Sequence, residues 1–368
     1  MKIAIACGGT GGHIFPGMAT GRALRRRGHE VTLWLAGKDV EAPALRDWEG
    51  TVVTVPAEGL PSGFSLRALR ATLKLLRAAL ACRARMRSER PDALLAMGSY
   101  ASVGPVLAAL WLGVPVILHE ANVLPGRAVS LFSRWAAALA ASFEETRFYL
   151  KRDDVVITGM PLRPELEEAA LRAAVERPRH DEFTVLVTGG SRGAHRLNDI
   201  AAAALAEIHR RGHRIRAYHL TGFADEDAVR KVYAEADVPH AVYAFTADMA
   251  PLYAAADLAV CRSGAATCAE LSVFAVPALL VPYPFAANDH QTVNARALEK
   301  AGAAVVVPER DLGVPWLVDY IVDGIRTPAR LARMSAASKS RTVSSSADAL
   351  ADLVARTAES AHGPSASS

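Results

Sequence analysis

The chain has 368 residues, of which 51% are apolar and 22% charged, with a formal charge of +4. This is the composition of a globular protein long enough for two domains, and it excludes a disordered or fibrous chain. So mild a positive charge favours anionic partners such as phosphate or acidic lipid and argues against nucleic acid as a ligand.

In chain order, apolar runs predict strands at Lys2–Cys7, Glu30–Ala36, Thr51–Val55, Ala93–Gly98, Val114–His119 and Val155–Gly159. A second series follows at Phe183–Thr188, Ile215–Leu220, Val238–Ala244, Leu258–Cys261, Ala278–Val281 and Ala304–Val307. Runs of Val, Ile and Leu without polar alternation read as strands buried on both faces, and helix-period segments between them make βαβ units. The pattern restarts at FTVLVTGGSRGAHRLN, repeating the strand–glycine–helix logic of KIAIACGGTGGHIFPG at the amino terminus. Two doubly wound parallel-sheet α/β domains of similar size are expected, residues 1–158 and 159–340, joined near Gly159 where two prolines interrupt the pattern. Residues 361–368 read as a disordered tail. No apolar run reaches the roughly 18 residues of a membrane span, and the opening MKIAIACGG is too briefly apolar for a signal peptide. Cys7, Cys82, Cys261 and Cys268 form no CxxC and no disulfide framework, which fits a reduced cytosolic chain without a cysteine zinc site.

The two glycine turns place permissive backbone at strand ends, just before helix starts whose free N–H groups suit phosphate. Neither matches the dinucleotide fingerprint or a phosphate-binding lysine loop. His13 falls in the first turn of its helix, where a neutral imidazole would accept a proton; it would equally serve as a polar residue at a helix start. LHEANVLPG ends a strand on three polar groups, as either a site loop or plain turn chemistry. In CRSGAATCAEL, Thr267 and Glu270 fit a capping box, or Glu270 accepts from a ribose diol. In PYPFAANDHQTVNA, Gln291 and Asn294 lie three apart on one helix face, a set suited to sugar hydroxyls or to a surface cap. Asp225 and Asp227 spell a metal-type Asp-x-Asp but open a predicted helix, where acids are expected for the dipole. Ser65–Arg90 is a basic helix with leucines at 66, 69, 73, 76 and 80; it packs on its sheet or rests on an anionic bilayer.

Together GGTGGH, GSYASVGP, HEANVLPG, GMPLR, GGSRGAHRLN, CRSGAATCAEL and DHQTVNA, in this order over nearly the whole chain, resemble the MurG family. The resemblance implies a GT-B fold, two Rossmann-like domains facing a cleft, and an inverting hexosyltransferase. GlcNAc would pass from UDP-GlcNAc to the C4 hydroxyl of the MurNAc unit of lipid I, giving lipid II for peptidoglycan synthesis and hence cell shape and division. It assigns lipid I and a membrane face to the amino-terminal domain, with the last helix, about residues 341–360, packing back on it, and the donor to the carboxyl-terminal domain. By position, Arg163 would contact the uracil, with Phe245 and Thr246 as the base wall. Gly190, Ser191 and Ser263 would face the diphosphate, Glu270 the ribose, and Gln291 and Asn294 the GlcNAc hydroxyls. Thr10, Gly11 and Gly12 would cradle the acceptor pyrophosphate, beside Tyr100 and Asn122. His13 is the first candidate base and Glu120 the second. No cofactor is obligatory, because helix-start N–H groups would meet the charge on UDP, although Mg²⁺ is compatible with it. The expected location is the cytoplasmic face of the plasma membrane, peripherally bound, with a cell-wall synthesis complex as partner. Three positions depart from the family's pattern: Arg192 for Gln, Ala121 for Gln and Ser99 for Gly. A UDP-GlcNAc 2-epimerase or a non-catalytic sugar-nucleotide-binding protein of the same fold are the alternatives.

Overall fold

A computed structural model describes residues 1–9, 11–39, 45, 48–56, 66–175, 181–190 and 193–362. The chain divides into two compact units, Met1–Arg163 with Ser345–Ser368, and Pro164–Ser344. The first unit contains β1 (Lys2–Ala6), β2 (Glu30–Ala36), β3 (Thr51–Val55), β4 (Ala93–Ala96), β5 (Val116–Glu120), β6 (Ala138–Ala141) and β7 (Val155–Ile157), in the order β3-β2-β1-β4-β5-β6-β7. The second contains β8 (Phe183–Thr188), β9 (Ile215–Leu220), β10 (His240–Tyr243), β11 (Leu258–Cys261), β12 (Ala278–Leu280) and β13 (Ala304–Val306), in the order β10-β9-β8-β11-β12-β13. Every neighbouring pair is parallel.

In each sheet the winding direction reverses beside the first strand, between β1 and β4 and again between β8 and β11. At such a reversal the connections leave in opposite directions, and a crevice opens at the carboxyl ends of the two strands. Several strands are shorter there than their apolar runs. β4 stops at Ala96 and β7 at Ile157; the Met97 N–H still donates to the Ala6 carbonyl at 2.9 Å and the Thr158 N–H to the Ala141 carbonyl at 3.1 Å, and the chain turns at Gly98 (φ +85°) and Gly159 (φ +73°). β6 was not among the predicted strands. Its sequence, ALAA, has no β-branched residue, and alanine disfavours strands when only local preference counts. Burial between β5 and β7 decides its conformation instead.

The first helix, Gly11–Arg26, lies close against β1. A Cβ on Gly17 would overlap that of Cys7 and stand 2.9 Å from its Sγ, so glycine alone permits this approach. Helix Ser346–His362 packs on the same helix. It adds Leu350, Ala351, Val354 and Ala358 to a core that includes Ile3, Ile5 and Leu24. Arg27 clamps it, 2.8 Å from Asp352 and 3.0 Å from Asp348. This helix begins later than residue 341, where Arg341 caps the preceding helix Pro328–Ser340. It also includes 361 and 362; residues 363–368 of the expected tail lie outside the described residues.

Helix Leu66–Glu89 packs on helix Val103–Leu112. Its buried face is Leu75, Ala78, Ala79, Cys82 and Met86. The leucine stripe picked out by sequence spacing is on the other side: Leu73, Leu76 and Leu80 are 51%, 46% and 50% exposed. The side chains of Leu66, Arg67 and Leu69 lie outside the described residues. Among those described, no helix is long and apolar enough to cross a membrane.

Gly17→Ala is expected to destabilise the chain by about 1–3 kcal/mol, the usual cost of overpacking. A urea unfolding curve checks this, and an unchanged midpoint would count against the close helix–strand contact.

Candidate active site

In the first unit the polar groups collect at the ends of β1, β4 and β5, which are adjacent. The turn after β1 is pinned from β2. The buried Asp39 carboxylate accepts the Gly9 N–H at 2.7 Å, and a Cβ on Gly8 would stand 2.7 Å from the same oxygen. On its other side, a Cβ on Gly9 (φ +122°) would stand 3.1 Å from Ser99 Cβ and 3.3 Å from Tyr100 Cε1. Glycine is therefore favoured here by conformation, and a Cβ would crowd both side chains. Gly11 and Gly12, both exposed, open the helix, and Thr10 lies outside the described residues. Pro16, in the second turn, has no N–H to give the carbonyl of Gly12, four residues earlier. Ser99, where the family pattern has glycine, accepts the Ala101 N–H at 3.1 Å and so caps the short helix that carries Tyr100.

His13 is half-buried in the helix's first turn, and desolvation pushes its pKa down to about 4. Beside it, His119 is fully buried and also pushed down to about 4, by burial and then by the charge of His13. The His119 Nε2–H donates to the Gly159 carbonyl at 3.2 Å, tying the end of β5 to the segment after β7. Glu120 is buried with both oxygens in use. Oε1 accepts from the Asn122 N–H at 2.9 Å and from its side-chain amide at 3.3 Å, while Oε2 accepts the Gly126 N–H at 2.8 Å. Burial raises its pKa against the pull of these hydrogen bonds. The carboxylate braces its own loop. Ala121, in place of glutamine, is buried within that loop.

In the second unit the corresponding edge is formed by the ends of β8 to β12. Gly190 (φ +83°) donates its N–H to Thr188 Oγ1 at 3.2 Å and accepts from the Gly193 N–H at 3.0 Å. Ser191 and Arg192 lie outside the described residues. Phe245, 59% exposed, and Thr246 follow β10; Thr246 Oγ1 accepts the Asp248 N–H at 3.1 Å. After β11, Ser263 joins both amide residues. Its hydroxyl donates to the Gln291 carbonyl at 2.8 Å, its N–H faces Gln291 Oε1 at 3.3 Å, and its carbonyl accepts from Asn294 at 3.2 Å. Gln291 Oε1 also accepts the Tyr283 N–H at 3.0 Å. Asn294 is fully buried. Glu270 is half-buried, its Oε2 accepting from the Tyr253 hydroxyl at 2.8 Å. The capping-box reading of this segment fails: the helix Ala265–Val273 is capped by Gly264, and Thr267 lies inside it. Arg163 ends the first unit, with its guanidinium 5.6 Å from the ring centroid of Phe15.

Some supporting residues carry no local signal. Arg262 is buried and donates to the carbonyls of Val281 and Pro282 at 3.0 Å, pairs with Glu309, and lies 5.5 Å from the Tyr283 ring. It thus binds together the loops after β11, β12 and β13. Asp39, Tyr253 and Glu309 were likewise not singled out. Asp225 precedes helix Glu226–Glu235 and Asp227 lies in its first turn, where acids suit the dipole. Asp225 is engaged by His195 at 2.8 Å and Asn198 at 2.7 Å, and among the described residues no cluster of His, Cys, Asp and Glu could hold a metal ion. All four cysteines are buried with thiols pushed upward by desolvation, which leaves them unreactive.

The two parallel-sheet α/β units match the GT-B fold of glycosyltransferase structures. Residues 3–141 match the glycosyltransferase family 28 N-terminal domain and residues 184–350 the family's C-terminal domain. The chain belongs to the MurG family. It is 37% identical to the UDP-N-acetylglucosamine–N-acetylmuramyl-(pentapeptide) pyrophosphoryl-undecaprenol N-acetylglucosamine transferase of Syntrophotalea carbinolica, over 95% of this chain and 96% of that one. The enzyme of the same name from Geobacter sulfurreducens is also 37% identical, over 97% and 99%. The crystal structure of Acinetobacter baumannii MurG superposes with a TM-score of 0.79 at 26% identity, covering 97% of this chain and all of that one (100%).

Because Arg262 and Glu309 are both largely buried, removing one partner strands the other's charge. Glu309→Ala is expected to cost about 3–5 kcal/mol in denaturant unfolding. Loss of less than about 1 kcal/mol would mark the pair as a solvated surface contact.

Proposed function

We propose that the chain transfers GlcNAc from UDP-GlcNAc to the C4 hydroxyl of the MurNAc unit of lipid I, forming lipid II. The observation that carries this reading is the end-to-end likeness to N-acetylglucosamine transferases, which covers 95% and 97% of this chain. That likeness favours the transferase over a 2-epimerase.

The first unit takes the acceptor and the second the donor. The hydroxyl oxygen attacks the anomeric carbon from the face opposite UDP, the C1–O bond to the diphosphate breaks, and an α-linkage becomes β. His13 accepts the hydroxyl proton. At neutral pH its imidazole is unprotonated, as a base must be, and its depressed pKa makes it weak in the free protein. Anionic diphosphates brought near it favour the protonated form and raise its basicity when substrates bind. Glu120, whose oxygens hold the loop of Asn122, positions the acceptor side and takes no proton. Backbone N–H groups at the start of helix His195–Arg210 and of helix Ala265–Val273 face the charge growing on UDP. Glu270, oriented by Tyr253, accepts from the ribose. Ser263, Gln291 and Asn294 shape the sugar pocket, the buried Asn294 by bracing it. The exposed Leu73, Leu76 and Leu80, among Arg70, Lys74 and Arg77, rest on an anionic membrane surface, where the lipid acceptor resides.

The test is UDP release with UDP-GlcNAc alone and with a lipid I analogue. Release that requires the analogue and yields a disaccharide is expected; epimer formation without it would overturn the reading. His13→Ala is expected to lower kcat by about 100-fold or more with donor affinity unchanged. In wild type the acid limb of kcat/KM, which reports the free protein, should fall near pH 4, where His13 becomes protonated. The limb of kcat should lie higher, because bound anions raise the pKa. Coincident limbs near the ordinary histidine value would overturn the lowered pKa of free His13, and unchanged kcat in His13→Ala would remove it as the base. Reversing Arg70, Lys74 and Arg77 to Glu should weaken binding to anionic vesicles, at about 1 kcal/mol per charge before reversal is counted. Unchanged sedimentation with vesicles would place the membrane contact elsewhere.

A further inference from the structure

The second glycine turn is supported by side chains that have no part in the mechanism above. Gly193 has φ +75°, and any Cβ there would collide with the carbonyl oxygen of Thr221 at the end of β9. That carbonyl is held in turn by Asn198, whose Nδ2 donates to it at 2.8 Å and to Asp225 Oδ2 at 2.7 Å. Asn198 Oδ1 lies 3.1 Å from His219 Nε2, and His219 Nδ1 lies 2.9 Å from the Tyr233 hydroxyl. At the outer end His195 Nδ1 is 2.8 Å from Asp225 Oδ1.

Asn198, His219 and Tyr233 are fully buried, so each of their polar atoms needs a partner. One arrangement of protons satisfies the whole chain. The Tyr233 hydroxyl donates to His219 Nδ1, and the His219 Nε2–H donates to Asn198 Oδ1. The amide then donates to Thr221 and Asp225, and the His195 Nδ1–H donates to Asp225. Burial pushes His219 down to about 3, which keeps it in the neutral form this order requires.

The outer end is titratable. His195 is the first residue of its helix, two residues after Gly193, and is exposed. It faces Asp225, which precedes helix Glu226–Glu235, and Asp199 one turn along its own helix, with Nε2 at 3.4 Å from Oδ2. On the neighbouring helix, Glu226 is paired with Arg230 at 2.8 Å. His195 is raised above its ordinary pKa, first by the hydrogen bond to Asp225 and then by the charges of Asp199 and Asp225. Burial works to raise Asp225, but the hydrogen bonds from His195 and Asn198 outweigh it and hold the carboxyl low.

We propose that His195 and Asp225 are positioning residues for the donor diphosphate, locking Asn198 and, through Thr221, the Gly193 turn in its binding conformation. The inference rests on reading that turn as the donor site. A raised pKa means that the protonated form is favoured by the locked turn. Its contribution is complete below the ordinary histidine pKa and is lost as pH rises through the raised value.

The experiment is calorimetric titration of the whole protein with UDP-GlcNAc between about pH 6 and about pH 9, a range in which the doubly esterified diphosphate stays ionised. Wild type should bind about five-fold more weakly at the upper limit, as expected for loss of a cation and its hydrogen bond near a bound anion. His195→Gln, which donates without a proton to lose, should flatten the profile. Asp225→Asn should bind weakly at every pH. Equal slopes in wild type and His195→Gln would overturn the proposal, and because His195 is exposed that variant decides the question even if Asp225→Asn fails to fold. A wild type that shows no UDP-GlcNAc binding at any pH would instead overturn the donor-site reading, and this inference with it.

Discussion

The amino-terminal site depends on how closely β1 can approach the groups that follow it. A side chain on Gly8 or Gly17 would run into Asp39 or Cys7, and one on Gly9 would crowd Ser99 and Tyr100. Without them, the first helix sinks onto the strand, and the turn between them passes close to both β2 and β4. One carboxylate then suffices to fix the turn's backbone, because the Gly9 N–H is within reach of Asp39. His13, in the first turn of that helix, is half-buried, and desolvation lowers its pKa.

The same economy recurs at the other strand ends. Polar side chains that look like ligands in the sequence often act first as braces. Glu120 closes its own loop, Ser263 and Asn294 join β11 to the helix after β12, and Arg262 ties three successive loops. Each is buried and hydrogen-bonded, so its removal leaves stranded polar atoms, which cost more than the bond itself contributes. A site assembled on loops gains from this the rigidity that helices and strands would otherwise supply.

What could be read from the sequence followed from what is local. Val- and Ile-rich runs announced most strands, and glycine beside a strand end announced the turns, since both signals fall within a few residues. The alanine strand Ala138–Ala141 could not be read, because only its neighbours in the sheet make it a strand. The leucine stripe of helix Leu66–Glu89 has helical spacing, but spacing alone does not say which face is covered, and the covered one carries Leu75, Ala78, Ala79, Cys82 and Met86. The braces were the least legible part. Asp39 meets Gly9 across 30 residues, Asn198 meets Asp225 across 27, and Arg262 meets Glu309 across 47, each pair joined only by the sheet order. The departures at Ser99 and Ala121 became interpretable only once a cap and a buried loop were visible.

The return of helix Ser346–His362 to the first unit makes that unit discontinuous in the chain, with the whole second unit inserted between its parts. During synthesis the second unit is complete while the first still lacks a helix that covers part of its core. The amino-terminal sheet therefore waits, with Ile3, Ile5 and Leu24 incompletely covered, until residues 346–362 have been made. A shortened translation product would carry a finished donor unit on an unfinished acceptor unit, so premature termination damages the part made first.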